Sequence, residues 1–207
     1  MGEPQAASTD KSTGLVVVDP VRAFTDPEGV IGRHHGAPQF GVITDTVARL
    51  SRSVAAHAGP KIWIRPQYRH GQFTEGDLDH WLAQLCADPD GPDCEWDPCL
   101  TPPPDATVVT KADIDACSSS GYLAALEDVA ARVEEVAVCG FWLNACVAAT
   151  ALSTARRLEG RTPVLVPTGL AATIVRFYSP GPDGRSVVGA TLDGLKAGGV
   201  VVCEDLG

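Results

Sequence analysis

The stretch that decides the fold is Val136–Thr150, Val-Ala-Val-Cys-Gly-Phe-Trp-Leu-Asn-Ala-Cys-Val-Ala-Ala-Thr. Its apolar start predicts a buried strand that breaks at Gly140. After a short loop, an Ala-rich helical pattern begins at about Cys146 and runs to Leu158. The Cys146 thiol is therefore predicted at a helix start, just beyond the carboxyl end of a strand. The partial positive charge and free N–H groups of a helix N-terminus favour a thiolate, which makes Cys146 a candidate nucleophile.

Six short apolar runs have strand character, and most are near-continuous, which predicts a parallel sheet buried on both faces. These strands are Leu15–Asp19, Ile62–Arg65, Thr107–Thr110, Val136–Gly140, Val164–Pro167 and Val200–Cys203. The predicted helices are Val42–His57, Leu78–Leu85, Leu123–Val133, Cys146–Leu158 and Val187–Ala197. Their alternation predicts one α/β domain: a three-layer α/β/α, Rossmann-like fold with a mainly parallel six-stranded sheet. We expect this domain to span residues 14–207, after a flexible N-terminal tail at residues 1–13.

The composition of the 207-residue chain limits the kinds of partner that the protein can bind. At 44% hydrophobic and 20% charged residues, it is typical of a globular protein. Its net charge of −10 argues against a nucleic-acid partner, which needs a basic patch. No apolar run approaches the roughly 20 residues of a membrane span, and the polar N-terminus lacks a signal-peptide core. We expect a cytoplasmic protein whose seven cysteines are free thiols.

Two more residues are predicted at the same sheet edge as Cys146. Asp19 ends the first strand, and Lys111 directly follows the third. Ligand sites in such sheets lie outside the carboxyl ends of the strands. The chain has 12 arginines but only four lysines, so a lysine at this place suggests a need for a compact ammonium. Together the three side chains offer a proton acceptor, a cation and a nucleophile.

Three stretches give the chain a resemblance to the isochorismatase-like cysteine hydrolase superfamily, which includes nicotinamidases and N-carbamoylsarcosine amidohydrolases. They are residues 15–24, 108–113 and 139–151. The third is the most specific, with a glycine six residues before the cysteine and a small-residue helix after it. The resemblance implies the isochorismatase-like hydrolase fold and a catalytic triad of Asp19, Lys111 and Cys146. It also implies a cis peptide bond between Phe141 and Trp142, and an oxyanion hole formed by backbone N–H groups near Trp142 and Cys146.

The activity that the resemblance implies is cleavage of a C–N bond in a small amide, lactam or carbamoyl compound through a thioester. It also implies a homo-oligomer, with no cofactor. The chain departs from the family at Val21, where many members have Gln, and at Asp115-Ala116-Cys117, where many have Ser-Ala-Phe. These departures argue against the familiar substrates. Residues 65–70, where nicotinamidases carry metal ligands, contain one His and no Asp, so we expect no metal.

Several residues have two interpretations. Phe24, Trp142 and Leu143 are predicted to form an apolar pocket wall, with core packing as the alternative. The aromatic residues that we expect in the core or an interface are Trp63, Tyr68 and Phe73. The residues whose access to the pocket stays open are Arg22, Arg69, His34 and His35. A zinc site is disfavoured because only two of its four conceivable ligands are closely spaced; these ligands are His80, Cys86, Cys94 and Cys99.

Two other functions remain open at this point. The same fold could hydrolyse a non-amide bond, such as an ester or enol ether. Alternatively, the protein could bind a partner or sense redox state through Cys146 without turnover. The presence of both Asp19 and Lys111 weighs against the second alternative, because a sensor needs neither residue at its position.

Overall fold

The computed structural model describes residues 12–73 and 84–206. Seven strands form one sheet: β1 Thr13–Val18, β2 Lys61–Pro66, β3 Thr107–Lys111, β4 Glu135–Phe141, β5 Val164–Pro167, β6 Ala171–Ala172 and β7 Val201–Cys203. The α-helices are α1 Arg22–Thr25, α2 Val30–His35, α3 Gly41–Ala56, α4 Ser120–Ala130, α5 Ala148–Leu158 and α6 Val187–Ala197. The predicted α/β architecture is confirmed.

The sheet is parallel, with strand order β3-β2-β1-β4-β5-β7, and the short β6 pairs with the end of β4. The order runs outwards from β1 in one direction and from β4 in the other. The connections therefore reverse direction between these two strands. In a doubly wound sheet, the crevice at such a reversal is where ligands bind.

Alternate residues of β1 pack on opposite faces of the sheet, which creates the three layers. Val16 and Val18 pack in a cluster that includes α4, α5 and α6, whereas Leu15 and Val17 pack in a cluster that includes α3. All four side chains are fully buried. The continuous apolar run that predicted a parallel strand thus reflects helices on both faces. Burial of each such side chain contributes about 1.5–3 kcal/mol.

Glycine at position 140 lets β1 and β4 come close where the order reverses. Its φ is +107°, and a Cβ there would lie 2.2 Å from the carbonyl oxygen of Val18. Any side chain would push the two strand ends apart at the point where Asp19 leaves β1. Asp19 itself has φ +52°, a left-handed conformation that Asp tolerates better than most residues, and its N–H donates to the carbonyl of Ile64. The two strand ends are therefore fixed next to the crevice.

The structure differs from the sequence-based prediction in several elements. Strand β6 and helices α1 and α2 were not predicted, because two to six residues give too little periodicity to identify an element. The helix predicted to start at Cys146 begins earlier, with a π-helical turn over Leu143–Val147 that continues into α5. Thr13 belongs to the sheet rather than to the predicted tail, because it starts β1, and the carbonyl of the preceding Ser12 accepts from two backbone N–H groups.

Two predictions concern residues for which the structure gives no description. Residues 1–11 of the predicted tail lie outside the described residues. So do residues 78–83 of the predicted helix Leu78–Leu85. Among the described helices, none is long and apolar enough to cross a membrane.

Candidate active site

The ends of β1, β3 and β4 bring Asp19, Lys111 and Cys146 together at one edge of the sheet. Nζ of Lys111 lies 3.0 Å from Oδ2 of Asp19, and both side chains are fully buried. Cys146 is 4% exposed and interacts with both charged groups. The co-location that the strand pattern predicted is therefore present in the tertiary structure.

The Lys111 ammonium is held by more oxygens than it has hydrogens to donate. Besides Asp19, it contacts the Tyr68 hydroxyl at 2.9 Å and the carbonyls of Asp113 and Ile114 at 3.0 and 3.1 Å. An ammonium has three N–H donors, so Asp19 has an ion-pair contact without a well-aligned hydrogen bond. Neither buried carboxylate oxygen of Asp19 has such a bond. The carboxylate thus keeps room to accept a proton.

Electrostatics make Asp19 a stronger base than an exposed aspartate. Burial raises the pKa of Asp19, and the charge of Lys111 only partly opposes this. Burial also works against the charged form of Lys111, but the negative charge of Asp19 prevails and raises the pKa of Lys111. The site therefore combines an ammonium that Asp19 keeps charged with a carboxylate that burial makes more basic.

The surroundings of Cys146 oppose the thiolate that its place at a helix start was expected to favour. Burial, followed by the negative charge of Asp19, raises the pKa of the Cys146 thiol to about 12. The partial positive charge at one helix N-terminus lowers the thiol pKa by less than removal of the sulfur from water raises it. Cys146 is thus a neutral thiol at neutral pH, and its use as a nucleophile requires a base at hand.

Tyr68 is a site residue that the sequence analysis assigned to the core or an interface. Its hydroxyl accepts a hydrogen bond from Lys111 and lies 3.7 Å from Sγ of Cys146. Burial, followed by the negative charge of Asp19, raises the pKa of Tyr68 well above its usual range, so it remains a phenol. Because its oxygen accepts from the ammonium, its hydrogen is free to donate to the sulfur. Its position two residues after β2 was a usable signal, since β2 ends at the same sheet edge.

A cavity of about 460 Å³ opens onto the Cys146 thiol. Its walls are mostly apolar, and several of its lining residues are aromatic rings that pack on one another. The Trp142 ring lies 6.0 Å from that of His35 and 6.3 Å from that of Phe177. The lining residues are Phe24, Ile31, His35, Tyr68, Phe73, Leu85, Ile114, Trp142, Asn144, Ala145, Cys146, Arg176 and Phe177. Such a site suits a small, largely apolar molecule with a few polar groups.

The structure sorts the predicted pocket residues into two groups. Phe24 and Trp142 line the cavity, and the indole of Trp142 donates to the Phe24 carbonyl at 3.4 Å. Phe141 and Leu143 do not line it, because both are buried in the core on opposite faces of the sheet. The peptide bond between Phe141 and Trp142 is cis, as the resemblance implied.

The structure also decides which of the residues with undecided access to the pocket line the cavity. His35 lines the cavity, whereas His34, Arg22 and Arg69 do not. Arg22 is held by Asp26 and Glu95. Trp63 is fully buried in the core, as expected, but Phe73 lines the cavity and packs edge-on against Tyr68, with ring centroids 4.6 Å apart.

The described residues contain no group of three or more His, Cys, Asp or Glu side chains arranged to hold a metal ion. Of the conceivable zinc ligands, Cys86 and Cys94 interact through their side chains, and Cys99 is exposed. His80 lies outside the described residues.

The family model described as the isochorismatase domain matches residues 13–173, which include the whole constellation. The chain belongs to the isochorismatase family. It is an isochorismatase-family hydrolase whose matched segment runs from β1 to just beyond β6. None of the curated proteins is significantly similar to it.

Solved structures share the fold of this isochorismatase-family hydrolase at low sequence identity. An isochorismatase family protein from Desulfovibrio vulgaris has a TM-score of 0.65 at 18% identity, covering 93% of this chain and 94% of the other. A pyrazinamidase of Pyrococcus horikoshii in complex with zinc has a TM-score of 0.65 at 16% identity, covering 94% and 99%. An N-carbamoylsarcosine amidase from Thermoplasma acidophilum has a TM-score of 0.62 at 18% identity, covering 93% and 95%. At these identities, the likeness shows the fold alone.

Proposed function

We propose that this protein is a cysteine hydrolase that cleaves a C–N bond of a small amide, lactam or carbamoyl compound through a covalent thioester. The observation that carries the proposal is the buried group of Asp19, Lys111 and Cys146 beneath an apolar cavity. Two relatives in fold are named as amidases, which supports the same reaction class.

Asp19 is the general base in the proposed first step. Its carboxylate takes the Cys146 proton while the sulfur attacks the substrate carbonyl, so a free thiolate need not accumulate. Lys111 stabilises the negative charge of the pair, and the Tyr68 hydroxyl can donate to the sulfur as charge develops on it. The raised pKa of Asp19 favours this proton transfer.

The tetrahedral intermediate places a negative charge on the former carbonyl oxygen. The backbone N–H groups of Trp142 and Cys146 are proposed to bind it. The intermediate collapses as the C–N bond breaks, and the amine leaves with the proton held by Asp19. Water then attacks the thioester and gives a proton to Asp19, after which the acid product departs and the proton returns to the sulfur.

Asn144 lines the cavity two residues before the nucleophile. Its Oδ1 atom is buried and has no hydrogen-bond partner among the described residues, so this oxygen does not face the cavity.

The direct experiment is release of ammonia or amine from a panel of small amides, with rapid quenching and intact-mass detection of an acyl adduct. We expect turnover and an acyl group on Cys146. Cys146→Ala should release no amine and carry no adduct. Full activity of Cys146→Ala would refute the mechanism, and hydrolysis of esters but not of amides would refute the proposed bond specificity.

A further inference from the structure

Two buried thiols, Cys86 and Cys94, lie against the segment that carries Tyr68. Both are 1% exposed, and they interact through their side chains. The carbonyl of Cys86 accepts a hydrogen bond from the backbone N–H of Tyr68 at 3.0 Å, and Sγ of Cys94 lies 3.9 Å from the carbonyl oxygen of Pro66. Sγ of Cys86 lies 3.9 Å from the carbonyl oxygen of Asp93, the residue before Cys94. The end of β2 thus holds two neighbouring thiols that the proposed reaction does not use.

The two thiols differ in acidity, as a reactive cysteine and its resolving partner do. A hydrogen bond from the Cys86 thiol lowers the pKa of Cys94 in spite of burial, and the positive charge of Arg65 adds to the effect. The same contact, followed by burial, raises the pKa of Cys86, which stays protonated. The Arg65 guanidinium is kept nearby, since it donates to the carbonyl of Pro89 and lies 5.9 Å from the centroid of the Trp96 ring. The thiolate is the form that oxidants attack, and a second thiol beside it converts the product into a disulfide.

The pair lies close beneath the surface of the protein. Residues 88–90, which separate the two cysteines, are exposed, and so are Pro92 and Glu95 on either side of Cys94. A small oxidant therefore reaches the sulfurs through a local opening of this loop, without unfolding of the sheet.

We propose that Cys86 and Cys94 are a redox switch: hydrogen peroxide oxidises them to a disulfide, and the disulfide displaces Tyr68 and thereby slows the chemistry of Cys146. The Cys94 thiolate attacks one peroxide oxygen, which breaks the O–O bond and gives a sulfenic acid and hydroxide. The Cys86 sulfur then attacks the sulfenic sulfur, so that the S–S bond forms, the S–O bond breaks, and the hydroxyl leaves with the Cys86 proton as water. The two sulfurs lose two electrons in all, and the peroxide becomes two waters once the hydroxide takes up the proton lost from Cys94.

Disulfide closure moves the backbone that shapes the site. Both thiols are free in this structure, so their sulfurs must approach each other before they can bond. Leu85, which lines the cavity, directly precedes Cys86, and the Cys86 carbonyl is bonded to the N–H of Tyr68. The Tyr68 hydroxyl contacts both Lys111 and Cys146, so a shift of Tyr68 weakens its contact with the reactive sulfur.

The test treats the wild-type protein with hydrogen peroxide, removes the oxidant with catalase and maps the disulfides by peptide mass spectrometry. The rate of Cys146 alkylation by iodoacetamide is measured before oxidation, after oxidation, and after reduction by dithiothreitol followed by its removal. We expect a disulfide between Cys86 and Cys94 and an alkylation rate about 10-fold lower, the effect of losing one hydrogen bond to the sulfur. Reduction should restore the rate.

Three variants identify the cause of the slower alkylation. Cys86→Ser and Cys94→Ser should form no such disulfide and should keep their alkylation rates after peroxide, which excludes direct oxidation of Cys146. Cys139→Ala is the matched control, because Cys139 is also buried in the same core cluster but its Sγ donates to the backbone; this variant should respond as the wild type does. In Tyr68→Phe, the disulfide should form but change the alkylation rate little, because the hydroxyl that transmits the change is gone.

The outcomes separate this inference from the proposed function, since neither readout requires cleavage of an amide. Failure of Cys86 and Cys94 to form a disulfide, a disulfide between Cys94 and Cys99 in its place, or an unchanged alkylation rate overturns the switch. A 10-fold loss that persists in Tyr68→Phe overturns the route through Tyr68. A disulfide that slows alkylation reversibly supports the switch even if the protein hydrolyses no amide.

Discussion

Nζ of Lys111 and Oδ2 of Asp19 lie 3.0 Å apart with no solvent exposure of either side chain. Removal of one charge from such a pair leaves the other buried without compensation. The same pair therefore contributes both to the stability of the fold and to the proposed chemistry. Its effect on stability is measured by unfolding, and its effect on the chemistry by amide turnover.

Lys111→Met should lower the free energy of unfolding by about 3–5 kcal/mol and abolish amide turnover, because it leaves the Asp19 carboxylate buried and unpaired. Urea unfolding followed by circular dichroism measures the stability. Asp19→Asn combined with Lys111→Met removes both charges and should be less destabilised than Lys111→Met alone, while remaining inactive. A double variant at least as unstable as the single one would contradict the ion-pair explanation.

Tyr68→Phe should lower kcat/KM by about 10-fold, since it removes the hydroxyl that joins Lys111 to the sulfur. The same substitution should lower the free energy of unfolding by about 1 kcal/mol. Tyr122→Phe is a matched control, because the Tyr122 hydroxyl is also buried but bonds to Oγ1 of Thr154, at 2.7 Å and on the other face of the sheet. Equal losses of kcat/KM in both variants would show that the effect of Tyr68 is structural.

The rate of Cys146 alkylation in the free protein should rise with pH without a plateau near neutrality. The thiol pKa of about 12 lies above the ordinary value, so the thiolate fraction grows about tenfold per pH unit from about pH 7 to about pH 10. Iodoacetamide labelling followed by peptide mass spectrometry measures this rate, in a Cys99→Ser background that removes an exposed competing thiol. A rate already constant at pH 7 would mean that the thiolate is the stable form.

The strand pattern was enough to predict the central geometry. Asp19, Lys111 and Cys146 each follow an apolar run, and parallel strands necessarily bring their carboxyl ends to one edge. The π-helical turn over Leu143–Val147 was beyond prediction, because it differs from an α-helix by one hydrogen-bond step and has no distinct periodicity. Leu143 lies in the core because that turn directs its side chain there and neighbouring core residues pack against it.

Residues whose role depends on distant neighbours were also beyond prediction. Tyr68 could be read as a core aromatic because its hydroxyl partners, on β3 and after β4, are far away in sequence. Arg176 had no local signal at all, and the arginines whose access to the pocket the sequence left open were Arg22 and Arg69. Only the packing of its 3-10 turn, Val175–Tyr178, against Trp142 and Gln39 puts Arg176 at the cavity.

The sequence by itself determined the parallel α/β sheet and which residues end its strands, because hydrophobic periodicity and burial on both faces are local properties of the chain. The tertiary structure decided the protonation of Cys146, the contact of Tyr68 with it and the position of Arg176. Each of these depends on how far a group is removed from water and on which charges surround it, and those surroundings come from segments that meet only when the sheet has formed.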